Sequence, residues 1–575
     1  MAYTLAYAIT GSMLLALTAI PVLMTMIYRK HFDAENPGRI EWHNPVYEWI
    51  ERKYKKIIDV LTHYSVATTI VSAVIVVMMI VLGARKIGTE FLPELDEGSL
   101  NIRCFFPVGI SLKESEQYCP VIRDVISRHK QVNVVLSQLG RNDDGTDPYG
   151  PNRLEIFVGL RDYSTWSKQI SKEELLKEIK DELEDAVPGA QFSFSQPILD
   201  NVTEAVTGSV ADLAILINGD DLKLMRSKAD SILAIIKTIP GASESGIEQE
   251  GDQAQLTVNI DRTAVARYGI NVSDIQKMIE AAIGGKIVGK LYEGEKRFDI
   301  VVRYSSEYRA SIESVRDMLV PSPSGGRILI SQLATIKLVD GPTIIQRENG
   351  LRQISVRTNI RGRDQGSFVA EAQAKVAAAI TLPKGYSMSW GGQFENLSRA
   401  GKRLAVVIPL TIGIIFLILF TMYRNVWHVG VAMASIPFAL IGGIAALLIR
   451  GYSFNVSAGV GFISLFGVSI IAGVLFVSRT NRLMDDLDLN IFDAVKRAAA
   501  IQLRPNLMTM LLALLGLIPA ARATGIGSDV QRPLATVIVG GLSSALIMTP
   551  LVLPAVYLVL VRRKNNKNQP PSTEQ

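Results

Sequence analysis

The sequence predicts an α-helical polytopic membrane protein, with seven transmembrane helices and a large α+β region on one side of the bilayer. Three observations carry this. The 575 residues are 48% hydrophobic and only 20% charged, whereas a soluble globular chain carries roughly a quarter charged residues. Seven windows are long, apolar and free of Asp, Glu, Lys, Arg and His, and five of them follow residue 400. Lys and Arg gather in the loops that separate them. Composition also excludes several classes. A net charge of +5, from 60 Lys+Arg against 55 Asp+Glu, argues against nucleic acid as a partner. Two cysteines and five histidines leave no disulfide framework and no Cys- or His-built metal centre.

The windows are 3–28, 65–84, 405–423, 429–449, 456–478, 506–521 and 535–561. A bilayer core takes about 20 apolar residues per helix, so 506–521 must borrow flanking residues. Loop 29–64 carries Arg29, Lys30, Arg39, Arg52, Lys53, Lys55 and Lys56. Loop 479–505 carries Arg479, Arg482, Lys496, Arg497 and Arg504, and the tail 562–575 carries Arg562, Arg563, Lys564 and Lys567. Short basic loops stay cytoplasmic. All three then lie on one side, and the N-terminus and residues 85–400 lie on the other. Window 3–28 has no basic stretch before it and no A-x-A-like cleavage site, so it does not read as a signal peptide. The chain is expected to continue something longer. Residues 44–63 mix aromatic, aliphatic and basic side chains, the pattern of an amphipathic helix in the cytoplasmic interface.

Between 85 and 400, strand-like and helix-like patterns alternate. Strands are expected at 101–106, 132–138, 153–160, 212–217, 255–260, 298–303, 327–331 and 353–359. Helices are expected at 112–128, 172–186, 222–238, 273–282 and 368–380. Ser111 with Glu114 and Ser171 with Glu174 have capping-box spacing. The alternation suggests ferredoxin-like split βαβ subdomains, two or more, with an insert at about 260–345. Cys104 falls on a strand and Cys119 on the next helix; they are read as buried free thiols, with pairing left open because spacing alone does not bring two Cα atoms together.

The spans hold no ionisable side chain, and intramembrane charges are the usual elements of proton relays. An energy source is therefore not evident in this chain. Gly285 to Lys290 approaches a P-loop but has the wrong spacing, so no nucleotide site is expected. Gly442, Gly443, Gly459, Gly461, Gly467, Gly473, Gly540 and Gly541 read as points of close helix approach. Met24, Met26, Met78 and Met79 read as lipid-facing or packing residues.

Several stretches together carry a resemblance. They are Gly88-Thr-Glu-Phe-Leu-Pro-Glu-Leu-Asp-Glu-Gly98, Ala266-Arg-Tyr-Gly269 with Val272-Ser-Asp-Ile275, and Gly391-Gly-Gln-Phe-Glu395. Leu503-Arg-Pro-Asn-Leu-Met-Thr509 and Gln531-Arg-Pro-Leu-Ala-Thr536 complete the set. In this order the chain resembles the C-terminal half of a resistance–nodulation–division (RND) permease of the heavy-metal, Cus/Czc-type branch. The resemblance implies a homotrimeric inner-membrane transporter with a periplasmic domain made of porter and docking subdomains. It implies a periplasmic adaptor, an outer-membrane channel and a missing N-terminal half as partners, and proton influx as the energy source. It also places a relay threonine at Thr509 and an isoleucine, Ile471, where drug-exporting relatives carry a relay lysine. The essential carboxylates of the metal branch would then sit in the missing half.

Copper- and silver-exporting members of that family use three periplasmic methionines. The matching positions here are Arg103, Arg153 and Glu204, so a thioether site for Cu(I) is lost. The oxygen donors nearby are Glu155, Glu204 and Asp200, with Asp143, Asp144 and Asp147 on the glycine-rich loop 140–152. Carboxylates suit harder or borderline divalent ions. Glu155, Glu204, Asp200 and Asp147 are the candidate metal contacts. The competing assignment is a structural ion pair of Glu204 with Arg103 or Arg153. No resident cofactor is expected, only a transported divalent cation and a proton gradient. Two further readings stand beside this one: an exporter of organic solutes, and a truncated remnant that transports nothing.

Overall fold

The computed structural model describes residues 2–28, 45–93, 95–141, 149–167, 170–201, 211–247, 252–342, 344–487 and 489–567. Six helices among them are long and apolar enough to cross a membrane: Ser65–Lys86, Gln393–Tyr423, Val426–Arg450, Val456–Leu487, Ile491–Arg522 and Ser528–Val561. The first expected span forms the helix Ala2–Tyr28, whose apolar part Thr10–Met26 is shorter than the other six. The short 506–521 window does borrow residues, as the end of a 32-residue helix. Window 429–449 is two helices, Val426–Met433 and Ser435–Arg450.

The five helices after residue 425 pack around one core that includes Val429, Phe438, Leu465, Phe476, Met510, Leu553 and Tyr557. Two glycine contacts set how near they come. A Cβ at Gly442 would meet the backbone carbonyl of Gly540, and one at Gly541 would meet the Leu465 side chain. Small residues let helices approach closely in this way. Gly467, by contrast, faces open space. The helix expected at 44–63 forms as Pro45–His63 and docks on this bundle. Tyr54 Oη donates to the Pro550 carbonyl at 2.9 Å, and Lys496 Nζ lies 2.6 Å from Asp59 Oδ1.

Outside the bundle, β1 (Ser99–Phe105), β2 (Val132–Leu139), β3 (Arg153–Leu160) and β4 (Gln191–Ser195) form an antiparallel sheet in the order β2-β3-β1-β4. Helices Leu112–Ser127 and Lys172–Ala186 link β1 to β2 and β3 to β4. Ser171 and Glu174 close a reciprocal capping box; Ser111 accepts from the Glu114 amide. Strand alternation puts every second side chain on one face. Leu100, Ile102 and Cys104 of β1 therefore meet Ile122, Ile179 and Leu183 of the two helices in a dry core. Cys104 and Cys119 are free and buried there, and burial beside Cys119 pushes the Cys104 thiol up to about 12.

The same plan recurs. β5 (Leu213–Gly219) leads through helix Leu222–Lys237 to β6 (Ala242–Ile247). An insert follows: β7 (Asp252–Ile260), the hairpin β8 (Lys286–Glu293) and β9 (Lys296–Val302), the pair β10 (Leu319–Pro321) and β11 (Arg327–Leu329), then β12 (Ala334–Pro342). β7 and β12 pair along their whole length, and the insert has its own core around Ile275, Ile330 and Leu333. The second sheet resumes with β13 (Arg347–Glu348), β14 (Leu351–Ile360), helix Gln365–Ala379 and β15 (Ser387–Gly391). Its order is β13-β14-β5-β15, with β6 pairing Val356–Ile360 of β14 along the edge that β13 begins.

Residues 87–98 tie the bundle to both sheets. The Phe454 amide donates to the Gly88 carbonyl at 2.7 Å, and the Glu90 amide to the Phe454 carbonyl at 3.2 Å. Asn455, buried at the start of helix Val456–Leu487, donates to Glu90 Oε1. The Glu97 carboxylate accepts the Ile198 and Leu199 amides. The Asp96 amide donates to Asp529 Oδ2 near the last helix, while Lys172 Nζ lies 2.6 Å from Asp96 Oδ1. Burial works against ionisation of Asp96, but Lys172 and the Gly98 amide outweigh it and hold its carboxyl below the usual range.

Two predictions follow from this packing. Gly442→Leu forces backbones apart and should destabilise the detergent-solubilised chain by about 1–3 kcal/mol, read as a lower thermal midpoint, whereas Gly467→Ala should leave it unchanged. Asp96→Asn should cost about 1–3 kcal/mol at neutral pH. A depressed folded pKa gives stability that is present above the unfolded carboxylate range and lost as pH falls through the folded value. The midpoint difference between parent and Asp96→Asn should therefore shrink on acidification.

Candidate functional site

The two sheets turn their helix-free faces toward each other. On β1 the parity that buries Ile102 and Cys104 leaves Asn101, Arg103 and Phe105 on the opposite face. β3 contributes Arg153 and Glu155, and β4 contributes Ser193 and Ser195. From the second sheet come Glu244, Arg357 and Asn359. Between them lies a cleft of about 860 Å³. Its floor is pinned across the gap: Ser193 Oγ donates to Glu244 Oε2 at 2.9 Å, and the Arg357 guanidinium lies 4.8 Å from the Phe105 ring centre. Asn359 Nδ2 donates to the same Glu244 oxygen at 2.8 Å.

Two of the four candidate metal contacts meet on one wall. Arg103 stands directly across from Glu155 in the β1–β3 register. Arg103 Nε is 3.3 Å from Glu155 Oε1, and Arg103 Nη2 is 3.5 Å from Asp200 Oδ2. Arg153 Nη2 donates to Glu155 Oε1 at 2.7 Å, with its guanidinium 3.3 Å from the Tyr149 ring centre. Asp200 is 2% exposed. Its Oδ2 accepts Asn101 Nδ2 at 2.9 Å and the Ser195 hydroxyl, while its Oδ1 is buried with no hydrogen-bond partner. Burial raises the Asp200 carboxyl above its ordinary range, against the opposing pull of Arg103, Ser195 and Asn101.

Glu204 and Asp147, with Asp143 and Asp144, lie outside the described residues. Among the described residues, the arginine ion pairs form with Glu155 and Asp200. No group of three or more His, Cys, Asp or Glu side chains among them is arranged to hold a metal ion. Among the described residues, the wall sets the carboxylates of Glu155 and Asp200 against the guanidiniums of Arg103 and Arg153.

Sequence reading missed Asn101, Ser195 and the opposing Glu244 and Arg357. The strand alternation around Arg103 was the available signal for Asn101. The others depend on pairing between distant segments.

In the bundle, Thr509 Oγ1 donates to the carbonyls of Pro505 and Asn506. Thr509 and Ile471 are both exposed among the described residues. Asn506, from the same motif, is instead buried, and its Oδ1 has no partner; Gln502 Oε1 and Thr549 Oγ1 beside it are likewise unsatisfied.

Comparison with known proteins agrees with this architecture. Residues 1–561 match the model of the AcrB/AcrD/AcrF family. The chain is 37% identical over 570 residues to the cation efflux system protein CzcA of Alcaligenes sp. strain CT14, covering 98% of this chain and 53% of that one. It is 36% identical to the cobalt-zinc-cadmium resistance protein CzcA of Cupriavidus metallidurans, covering 98% and 53%, and 28% identical to the cation efflux system protein CusA of Escherichia coli K12, covering 97% and 54%. A crystal structure of a heavy metal efflux pump superposes with a TM-score of 0.81 at 37% identity, over 90% of this chain and 52% of that one. The chain thus spans about half the length of the curated relatives it matches. It belongs to the AcrB/AcrD/AcrF family, within the Cus/Czc-type heavy-metal RND branch that its motifs indicated.

Proposed function

We propose that this chain is the C-terminal half of a proton-driven exporter of divalent heavy-metal cations in the bacterial inner membrane. Glu155 and Asp200 are the cargo contacts within the described residues. The observation that carries the reading is Asp200 in the cleft lining, 2% exposed with one unpartnered oxygen and bridged to Glu155 by Arg103, with no Met or Cys among the described residues that line the cleft. Hard oxygen donors favour Zn²⁺, Co²⁺, Ni²⁺ or Cd²⁺ over Cu(I). The relatives named for cobalt, zinc and cadmium support that choice.

The strand order β2-β3-β1-β4, repeated in the second sheet, supports reading both as ferredoxin-type porter subdomains in the periplasm, with β7–β12 and their contents as the docking subdomain. Helix Ala2–Tyr28 is taken as a seventh span. A homotrimer joined to a periplasmic adaptor and an outer-membrane channel is the assembly this implies. The exposed Thr509 fits a relay whose carboxylates belong to a companion N-terminal polypeptide. The Glu204 and Asp147 contacts and the absence of a resident cofactor belong to the same proposal.

Co-expression of both halves in a metal-sensitive host should restore growth on zinc, cobalt or nickel and not on copper. Rescue on copper alone would overturn the cargo assignment. Asp200→Asn should reduce zinc efflux to near background at unchanged protein level. Sealed vesicles holding this chain alone should show no ΔpH-driven zinc transport; transport by the lone chain would place the relay here instead.

A further inference from the structure

Helices Ile491–Arg522 and Gln531–Lys567 bring three polar side chains to one small void in the bundle. Gln502 and Asn506 stand four residues apart on the first helix, so they share a face. Thr549 comes from the second. Asn506 is 5% exposed and Thr549 1%. Gln502 Oε1, Asn506 Oδ1 and Thr549 Oγ1 are each buried with no hydrogen-bond partner among the described residues, and all three residues line the void.

Thr549 departs from the habit of the other helical threonines. Thr62, Thr411 and Thr480 turn their hydroxyls onto the carbonyl four residues back, the usual local partner for such a group. Thr549 makes no such bond, so its hydroxyl is available to a partner in the void. One unpaired buried polar atom is costly. Three around a single void call for one shared partner. Tyr54, from helix Pro45–His63, lines the same void and donates to the Pro550 carbonyl at 2.9 Å. That carbonyl is open to Tyr54 because Pro554, four residues on, has no N–H to give it.

The void is about 10 Å³, room for one water and nothing larger. A water has two hydrogens and two lone pairs. It can donate to Gln502 Oε1 and Asn506 Oδ1 and accept the Thr549 hydroxyl, the three bonds that a buried water usually makes. A monovalent cation would bring a charge with no carboxylate to meet it, since no Asp or Glu lines the void among the described residues.

We infer that this void is a binding site for a single structural water. The water ties helix Ile491–Arg522 to helix Gln531–Lys567 on a wall that Tyr54 shares, so the spacing of those two helices and the docking of Pro45–His63 are set together. Gln502, Asn506 and Thr549 are its ligands. Asn506 lies three residues before Thr509, so the site also fixes the seating of the helix that carries Thr509.

The test is X-ray radiolysis of the full chain in detergent and heavy-oxygen water, which turns a bound water into a hydroxyl radical where it sits. Phe476 and Leu553 line the void and are only 3% and 1% exposed; both should take up heavy oxygen. Thr549→Val keeps the shape and removes the hydroxyl. It should cut that labelling several-fold and lower the thermal midpoint. Thr549→Ser keeps the hydroxyl and should keep the labelling. No labelling of Phe476 and Leu553 in the parent overturns the site. A Thr549→Val midpoint equal to or above that of the parent also overturns it, because a dry void is relieved by losing an unpaired hydroxyl. A parental midpoint that rises when sodium replaces choline, with no such rise in Thr549→Val, overturns the water in favour of a cation.

Discussion

The outer sheets are fixed to the membrane helices largely through hydrogen bonds on twelve consecutive residues, Ile87 to Gly98. An extended backbone crossing between helix ends and sheet edges must have its polar groups satisfied, and here those partners are the structural joints themselves. Gly88 and Glu90 bond to Phe454 and Asn455 at the start of one helix, Thr89 bonds to Asp364 and Gly366 at the cap of another, and Asp96 bonds to Asp529 and Gly527 before the last. Glu97 and Gln196 complete the attachment to the first sheet. The cleft lies directly above these joints, and Glu90 and Asp96 belong to its lining. One hydrogen-bonded segment thus joins the bundle to both sheets.

Much of the fold was legible because its signals are local. Helix Lys172–Ala186 announces itself by Ser171, Glu174 and the spacing of Leu175, Ile179 and Leu183. The strands carrying Ile102, Ile156 and Leu213 are runs of branched and apolar residues. β4, β6 and β15 escaped notice because they are short edge strands, and in β6 all six residues are only half-buried. Helix Pro45–His63 was recognisable from its composition. That its Tyr54 would reach across to the Pro550 carbonyl was not, since those residues are nearly 500 positions apart.

The candidate site was legible in its residue types more than in its pairing. The candidate acids themselves, Glu155 and Asp200, could be named from the sequence. Which acid faces which arginine depends on the β1–β3 register and on the segment that returns after β4. That register places Glu155 opposite Arg103. Glu155 and Asp200 therefore owe their environment to strand pairing, a non-local property that motif spacing does not encode.

The insert between β6 and β13 hangs on β7 and β12, a ribbon of nine paired residues on each side. At about 3.3 Å per residue the ribbon is roughly 30 Å long. It has its own core, separate from that of the second sheet. A ribbon of two strands is stiff along its length and compliant to twisting and bending across it. The head at its end can therefore tilt on the ribbon without repacking the second sheet, whose core is separate.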